Sequence, residues 1–220
     1  MAASKRFSFT VGRAGPALES RVADLRVRLD LVPPVLLAER TGASYLELGQ
    51  GRDEFHFIFI NTPLVLTYPN FQALTVGDEL LPVIKQALLL YYFFTSNGSP
   101  PSGKLISFAD LPDGRVYSSA FQANTGDAIV KRFGLNIRSF QASCESFGGE
   151  KLTLGDLSYR FHVLPKLDLF VVFHLGDDEF PSACKILFDE SAEHYLPTEG
   201  CAILGSMFVQ QLLRTNPPGA

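Results

Sequence analysis

The sequence predicts an α+β fold in which antiparallel β-meanders carry packed helices. Three observations predict it. Two separate stretches, Ser44 to Tyr68 and Ser158 to Asp189, break into short runs of strand-forming residues cut by polar turns. Each stretch leads into a segment that is apolar on nearly every side, the first closing on Tyr91-Tyr92-Phe93-Phe94 and the second running from Gly200 to Leu213. Between them lies a span with helical spacing punctuated by glycine. At 220 residues, 46% apolar and 19% charged, the chain can bury a substantial core without covalent staples, and wholesale disorder is excluded.

Taken in order, residues 1–16 form an arm that is small, basic and glycine-containing, with Phe7, Phe9 and Val11 alternating as in a short edge strand. Ala17 to Leu31 is an amphipathic helix stopped by Pro33-Pro34, and Val35 to Arg40 adds a turn or two before Thr41-Gly42. Ser44 to Leu48, Glu54 to Ile60 and Leu64 to Tyr68 are strands, with Phe55, Phe57 and Phe59 on one face of the second and a turn at Asn61-Thr62-Pro63. Gly77-Asp78 is expected to cap a helix that runs to Thr95. Lys104 to Phe108 is a short apolar element. Helices are expected over Ser118 to Phe133 and Asn136 to Phe147, each closed by glycine. The second meander comprises Ser158 to Leu164, Leu167 to Leu175 and Ala183 to Asp189, and Pro197-Thr198-Glu199 opens the last helix, with Thr198 as its cap. The strand from Leu167 is apolar on both faces, which calls for cover on both sides. Residues 17–214 read as a single domain and 215–220 as a flexible tail. The matching order in 44–96 and 157–214 suggests a degenerate βββα duplication.

Composition narrows function by exclusion. A net charge of −4 argues against a general nucleic-acid binder, although Lys5, Arg6 and Arg13 cluster near the start. The longest uninterrupted apolar run, Ala87 to Phe94, is far short of the roughly 20 residues of a membrane span, and the first ten residues lack a signal-peptide core. Cys144, Cys184 and Cys201 are odd in number and widely spaced, so free thiols in a reducing cytoplasm are expected, with no metal site in this chain. A soluble cytoplasmic protein follows. Its partner is an unspecified small molecule or protein, and a homo-oligomer remains open. No cofactor is specified.

The segments Gly176-Asp177-Asp178-Glu179-Phe180-Pro181-Ser182, Leu187-Phe188-Asp189-Glu190-Ser191-Ala192 and His194-Tyr195-Leu196-Pro197-Thr198-Glu199 carry a resemblance. Asn97-Gly98, Gly103 to Phe108, Leu111-Pro112 with Gly114, and Phe133-Gly134 add to it. Over most of its length the chain resembles the uncharacterised family catalogued as domain of unknown function 3786. The resemblance implies anaerobic bacteria and archaea. It also implies a link to low-potential redox or corrinoid and one-carbon metabolism, because some members resemble a fusion with a cysteine-rich iron–sulfur segment. This chain has no cysteine before Cys144, so no such cluster carries over. The resemblance implies no catalytic residue.

Asp189, His194 and Glu199 share one polar loop between a strand end and a helix start. They are the candidate catalytic set, His194 as base with a carboxylate to orient it. Lys104, Ser107, Tyr195 and Thr198 are the candidate ligand contacts around the neighbouring Gly98–Phe108 loop. The same loop residues also read as ordinary caps: Asp189 ending its strand and Glu199 favoured in a first helical turn. An odd-length turn through Pro165-Lys166 places His162 opposite Asp168, and with Arg160 these form a polar face suited to an anion, or simply a solvated hairpin. Gly98 to Lys104 imitates a phosphate loop but has Leu105 where Ser or Thr is needed, and two prolines remove amide donors. The expected function is a non-catalytic ligand- or partner-binding accessory module. The alternatives are an enzyme using the Asp/His/Glu loop for acid–base chemistry, and a small subunit of a larger complex.

Overall fold

The computed structural model describes residues 15–134 and 136–215. The edge strand expected at Phe7 to Val11, the basic cluster near the start and the tail beyond Thr215 lie outside them.

The chain opens with α1 (Pro16–Leu29) and α2 (Pro34–Thr41), each with proline in its first turn, where a missing N–H costs nothing. Gly42, at φ 73°, ends α2. The first sheet is a meander of β1 (Ser44–Leu46), β2 (Asp53–Phe59), β3 (Thr62–Tyr68) and β4 (Ala73–Thr75), all antiparallel and in that order. Phe55, Phe57 and Phe59 face the core as their alternation demands. The β2–β3 turn comes earlier than expected, at Ile60-Asn61 with φ 44° and 60°, and Pro63 lies inside β3 opposite Ile58. A β-branched residue in the left-handed region is strained. Ile60 tolerates it because its side chain is buried and its N–H donates to Val163 O at 3.0 Å, tying the first sheet to the second.

The helix expected from Gly77-Asp78 starts later: α3 spans Val83–Thr95. The intervening residues still belong to the sheet. Leu74 bridges Leu80, Leu81 N donates to Ala73 O, and Asp78 turns the chain at φ 62°. From Gln86 to Phe93 every residue of α3 is buried. Gln86 is satisfied there by Ala73 on both backbone groups, by Leu81 O and by Arg26.

Next come β5 (Leu105–Ser107), two 3₁₀ turns (Phe108–Asp110 and Gly114–Val116), α4 (Ser118–Asn124), α5 (Gly126–Phe133) and α6 (Ile137–Ser146). The single helix expected over Ser118 to Phe133 breaks at Thr125 (φ −125°, ψ −87°) because Gly126 backs onto Cys184 O, where a Cβ would lie at 2.0 Å. Asn136 caps α6 by accepting from Ser139 N.

The second sheet is β6 (Glu150–Leu152), β7 (Leu157–Leu164), β8 (Leu167–His174) and β9 (Ala183–Asp189), with β5 added beyond β9. A 3₁₀ turn (Glu190–His194) leads to α7 (Thr198–Leu212). Pro197 is the N-cap, and Thr198 is the first helical residue. Inner-face rings Tyr159, Phe161, Phe173 and Phe188 meet Phe121, Phe140 and Phe208 of the helices. Among the described residues, helices cover one face of β8. On its outer face Asp168 and Phe170 are half-exposed and His174 exposed, while Val172 lies beneath the loop at Gly155.

Both sheets thus run as a four-strand meander followed by an apolar helix laid on the inner face. One contact recurs: Phe57 of β2 meets Phe93 of α3, and Phe161 of β7 meets Phe208 of α7.

Candidate functional site

The pairing of β5 with β9 sets Leu105 opposite Asp189 at the open edge of the second sheet. Across the outer face, Ser107, Leu187, Phe170, Arg160 and Glu150 fall in one row through four successive strand pairs. The loop of residues 96–104 folds over the end of this face. Between loop and sheet is a cleft of about 290 Å³ lined by Pro101, Gly103, Leu105, Arg160, Lys166, Leu167, Asp168, Phe170, Asp189, Ser191 and Ala192.

Asp189 holds the loop in place. Its carboxylate accepts from Ser102 N (2.9 Å), Ser102 Oγ (3.1 Å), Gly103 N (2.8 Å), Ser191 N (2.9 Å) and Ser191 Oγ (2.6 Å). Partial burial pushes its pKa up, but the bonds from Ser191, Ser102 and Gly103 outweigh that and bring it down to about 2. Its acceptors are therefore committed.

The other candidate residues are engaged in the same structural way. Lys104 Nζ donates to Glu190 at 2.6 Å, which raises the Lys104 pKa, and Lys104 O accepts from Glu190 N. Ser107 donates to Asp110 in a reciprocal capping box that lowers the Asp110 pKa. Tyr195 is buried, stacks on Tyr92 with centroids 6.1 Å apart, and donates its hydroxyl to Ser99 O. Thr198 Oγ1 donates to Pro112 O at 2.6 Å. His194 ends the 3₁₀ turn half-buried, and Glu199 lies in the first turn of α7. Among the described residues, no hydrogen bond or ion pair joins His194 to Asp189 or Glu199.

The second group stands as expected, but not through an odd-length turn: Leu164 pairs Leu167 across Pro165-Lys166, and a register shift between His162 and Leu164 sets His162 opposite Asp168. His162 pairs with Asp168 across β7 and β8, Nδ1 to Oδ1 at 2.6 Å, and Nε2 lies 3.2 Å from Glu150. Arg160 donates through Nε and Nη2 to Glu150, lowering that carboxyl's pKa, and its Nε lies 4.0 Å from Asp168. Arg160 and Asp168 thus join Asp189 in one cleft, while His162 stays on the solvent side. Sequence reasoning missed Lys166, Phe170, Leu105 and Ser191 as cleft residues. Outward alternation in β8 marks Phe170, but only the non-local pairing of β5 with β9 sets these groups side by side.

At the end of α3, Phe93 packs on Phe55 and Phe57, and Tyr92 on Tyr195. The thiols of Cys144, Cys184 and Cys201 are free and buried, and burial raises their pKa values, that of Cys201 to about 12. Among the described residues no helix is long and apolar enough to cross a membrane.

No curated protein and no solved structure matches this chain. A family model does, over residues 34–211, which takes in both sheets, the cleft and α2 to α7. The chain belongs to the family described as domain of unknown function 3786.

Proposed function

We propose that this chain is a non-catalytic accessory module that binds a small ligand in the cleft of its second sheet. The carrying observation is the state of the polar wall. Asp189, the candidate orienting carboxylate, already accepts five hydrogen bonds that fix the loop of residues 96–104. Acid–base chemistry by Asp189, His194 and Glu199 would need a carboxylate orienting His194; Asp189 is committed to the loop, and among the described residues no hydrogen bond or ion pair joins Glu199 to His194. A half-open cavity with apolar walls and a few placed polar groups is the usual form of a small-molecule site. Free cysteines support a reducing, cytoplasmic setting. The link to anaerobic redox or corrinoid and one-carbon metabolism rests on the family resemblance.

A second reading, a small subunit of a larger complex, is favoured by the outer face of the first sheet. There His56, Val65 and Leu74 align across β2 to β4, Leu74 bridges Leu80, and Ile58 faces Pro63. Ile58 is 49% and Leu80 61% exposed.

One experiment separates the readings: native mass spectrometry of the protein purified without oxygen from its host. A small-molecule adduct on the 24.2 kDa chain is expected. A stoichiometric protein partner without such an adduct would favour the subunit. A bare chain would defeat tight ligand binding.

A further inference from the structure

If the cleft is a ligand site, as proposed above, its hydrogen-bonding balance restricts what enters. Most acceptors on its walls are engaged, and Asp168 Oδ2 lies 4.0 Å from Arg160 Nε. Four donors converge on Asp189 Oδ1 and one on Oδ2, while Asp168 Oδ1 takes His162. Ser191 gives its proton to Asp189. The donors are in surplus. Arg160 uses Nε and Nη2 on Glu150 and keeps further N–H groups. Lys166, on the β7–β8 turn, has no ion-pair partner among the described residues, and its stem runs past Gly42 with Cε 3.0 Å from where a Cβ would stand. Leu105 and Phe170, the latter the cross-strand neighbour of Arg160, supply apolar lining.

We infer that the cleft takes a small carboxylate with an apolar body, the carboxylate on Lys166 and Arg160 and the body against Leu105 and Phe170. The charge count sets the valency. Arg160 and Lys166 oppose Asp168 and Asp189, so the lining is formally neutral. A monoanion can use the free ammonium, whereas a polyanion meets two fixed carboxylates. The volume, at the low end for small-molecule sites, limits the ligand to fragment size.

The test is a ¹⁵N-NMR titration of the full chain with phenylacetate, its neutral isostere phenylacetamide, and inorganic pyrophosphate. Phenylacetate is expected to shift the amides of Gly103, Leu105, Lys166 and Ser191 with a Kd of about a millimolar, as its size allows. Phenylacetamide should bind about tenfold more weakly, and pyrophosphate should leave these amides unmoved. Lys166→Met, which keeps the stem, should erase the preference for phenylacetate over phenylacetamide, and Lys166→Arg should retain it. Equal binding of the two isosteres at these amides would overturn the carboxylate assignment and leave the cleft a ligand site. Tighter binding of pyrophosphate would overturn the valency argument. No shift at these amides with any probe would defeat the cleft as a site.

Discussion

Asp189 shows how one residue can look catalytic in sequence and be structural in three dimensions. A polar residue at a strand end, five positions before a histidine, is a reasonable acid–base candidate. Its fate depends on which donors surround it, and three of the five come from a loop more than eighty positions away. Replacing it by asparagine turns part of an acceptor-only group into a donor facing the Ser102, Gly103 and Ser191 amides. Asp189→Asn should destabilise the fold by about 1–2 kcal/mol at pH 7, measured as a fall in the urea midpoint. The folded-state pKa of about 2 lies below the ordinary carboxylate value. The Asp189 contribution is therefore complete above about pH 4 and lost as pH falls towards 2, so the difference between wild type and variant should shrink over that interval. An unchanged difference down to pH 2 would mean that the carboxylate charge contributes nothing.

At the scale of elements, several boundaries were legible in the chain itself. β9 runs from Ala183 to Asp189 as expected, and proline and glycine mark both ends of α2. Where local reading failed, a distant contact decided. Residues 76–81 have turn and cap chemistry but go to sheet pairing. The helical pattern from Ser118 to Phe133 is continuous, but close approach to β9 splits it at Thr125, with Gln122 Nε2 also donating to Cys184 O at 2.9 Å. That approach makes a prediction. Gly126→Ala would place a methyl against the Cys184 carbonyl, and α5 must move off β9 to admit it. The expected loss is about 1–3 kcal/mol, read from chemical denaturation. A variant as stable as wild type would show that the helix break does not depend on this contact.

At the scale of the molecule, the halves are joined by directional bonds as well as apolar packing. Ile60 donates to Val163 O, and Asn61 Nδ2 to Phe147 O. Tyr92 donates to Thr41 O at 2.6 Å and accepts from Lys166 N at 3.1 Å, while its ring stacks on Tyr195. These links should make unfolding cooperative, with far- and near-ultraviolet circular dichroism melting together. Tyr92→Phe, which leaves the Thr41 carbonyl and Lys166 amide short of a partner, should lower that one transition by about 1–3 kcal/mol without splitting it. Two separate transitions would show instead that the meanders fold as independent domains.

The sequence by itself determined the fold class, the alternation that buries Phe55, Phe57 and Phe59, the pairing of His162 with Asp168 and the family. Each of these is local, or a pattern repeated often enough to survive errors at individual positions. Tertiary structure alone decided the cleft and the roles around it. Leu105 reaches Asp189 only because β5 joins β9 across more than eighty residues, and Arg160 and Lys166 reach the same space only because β7 and β8 lie next in the sheet. A side chain's chemistry is written in its type, but its availability depends on which partners the fold has already supplied.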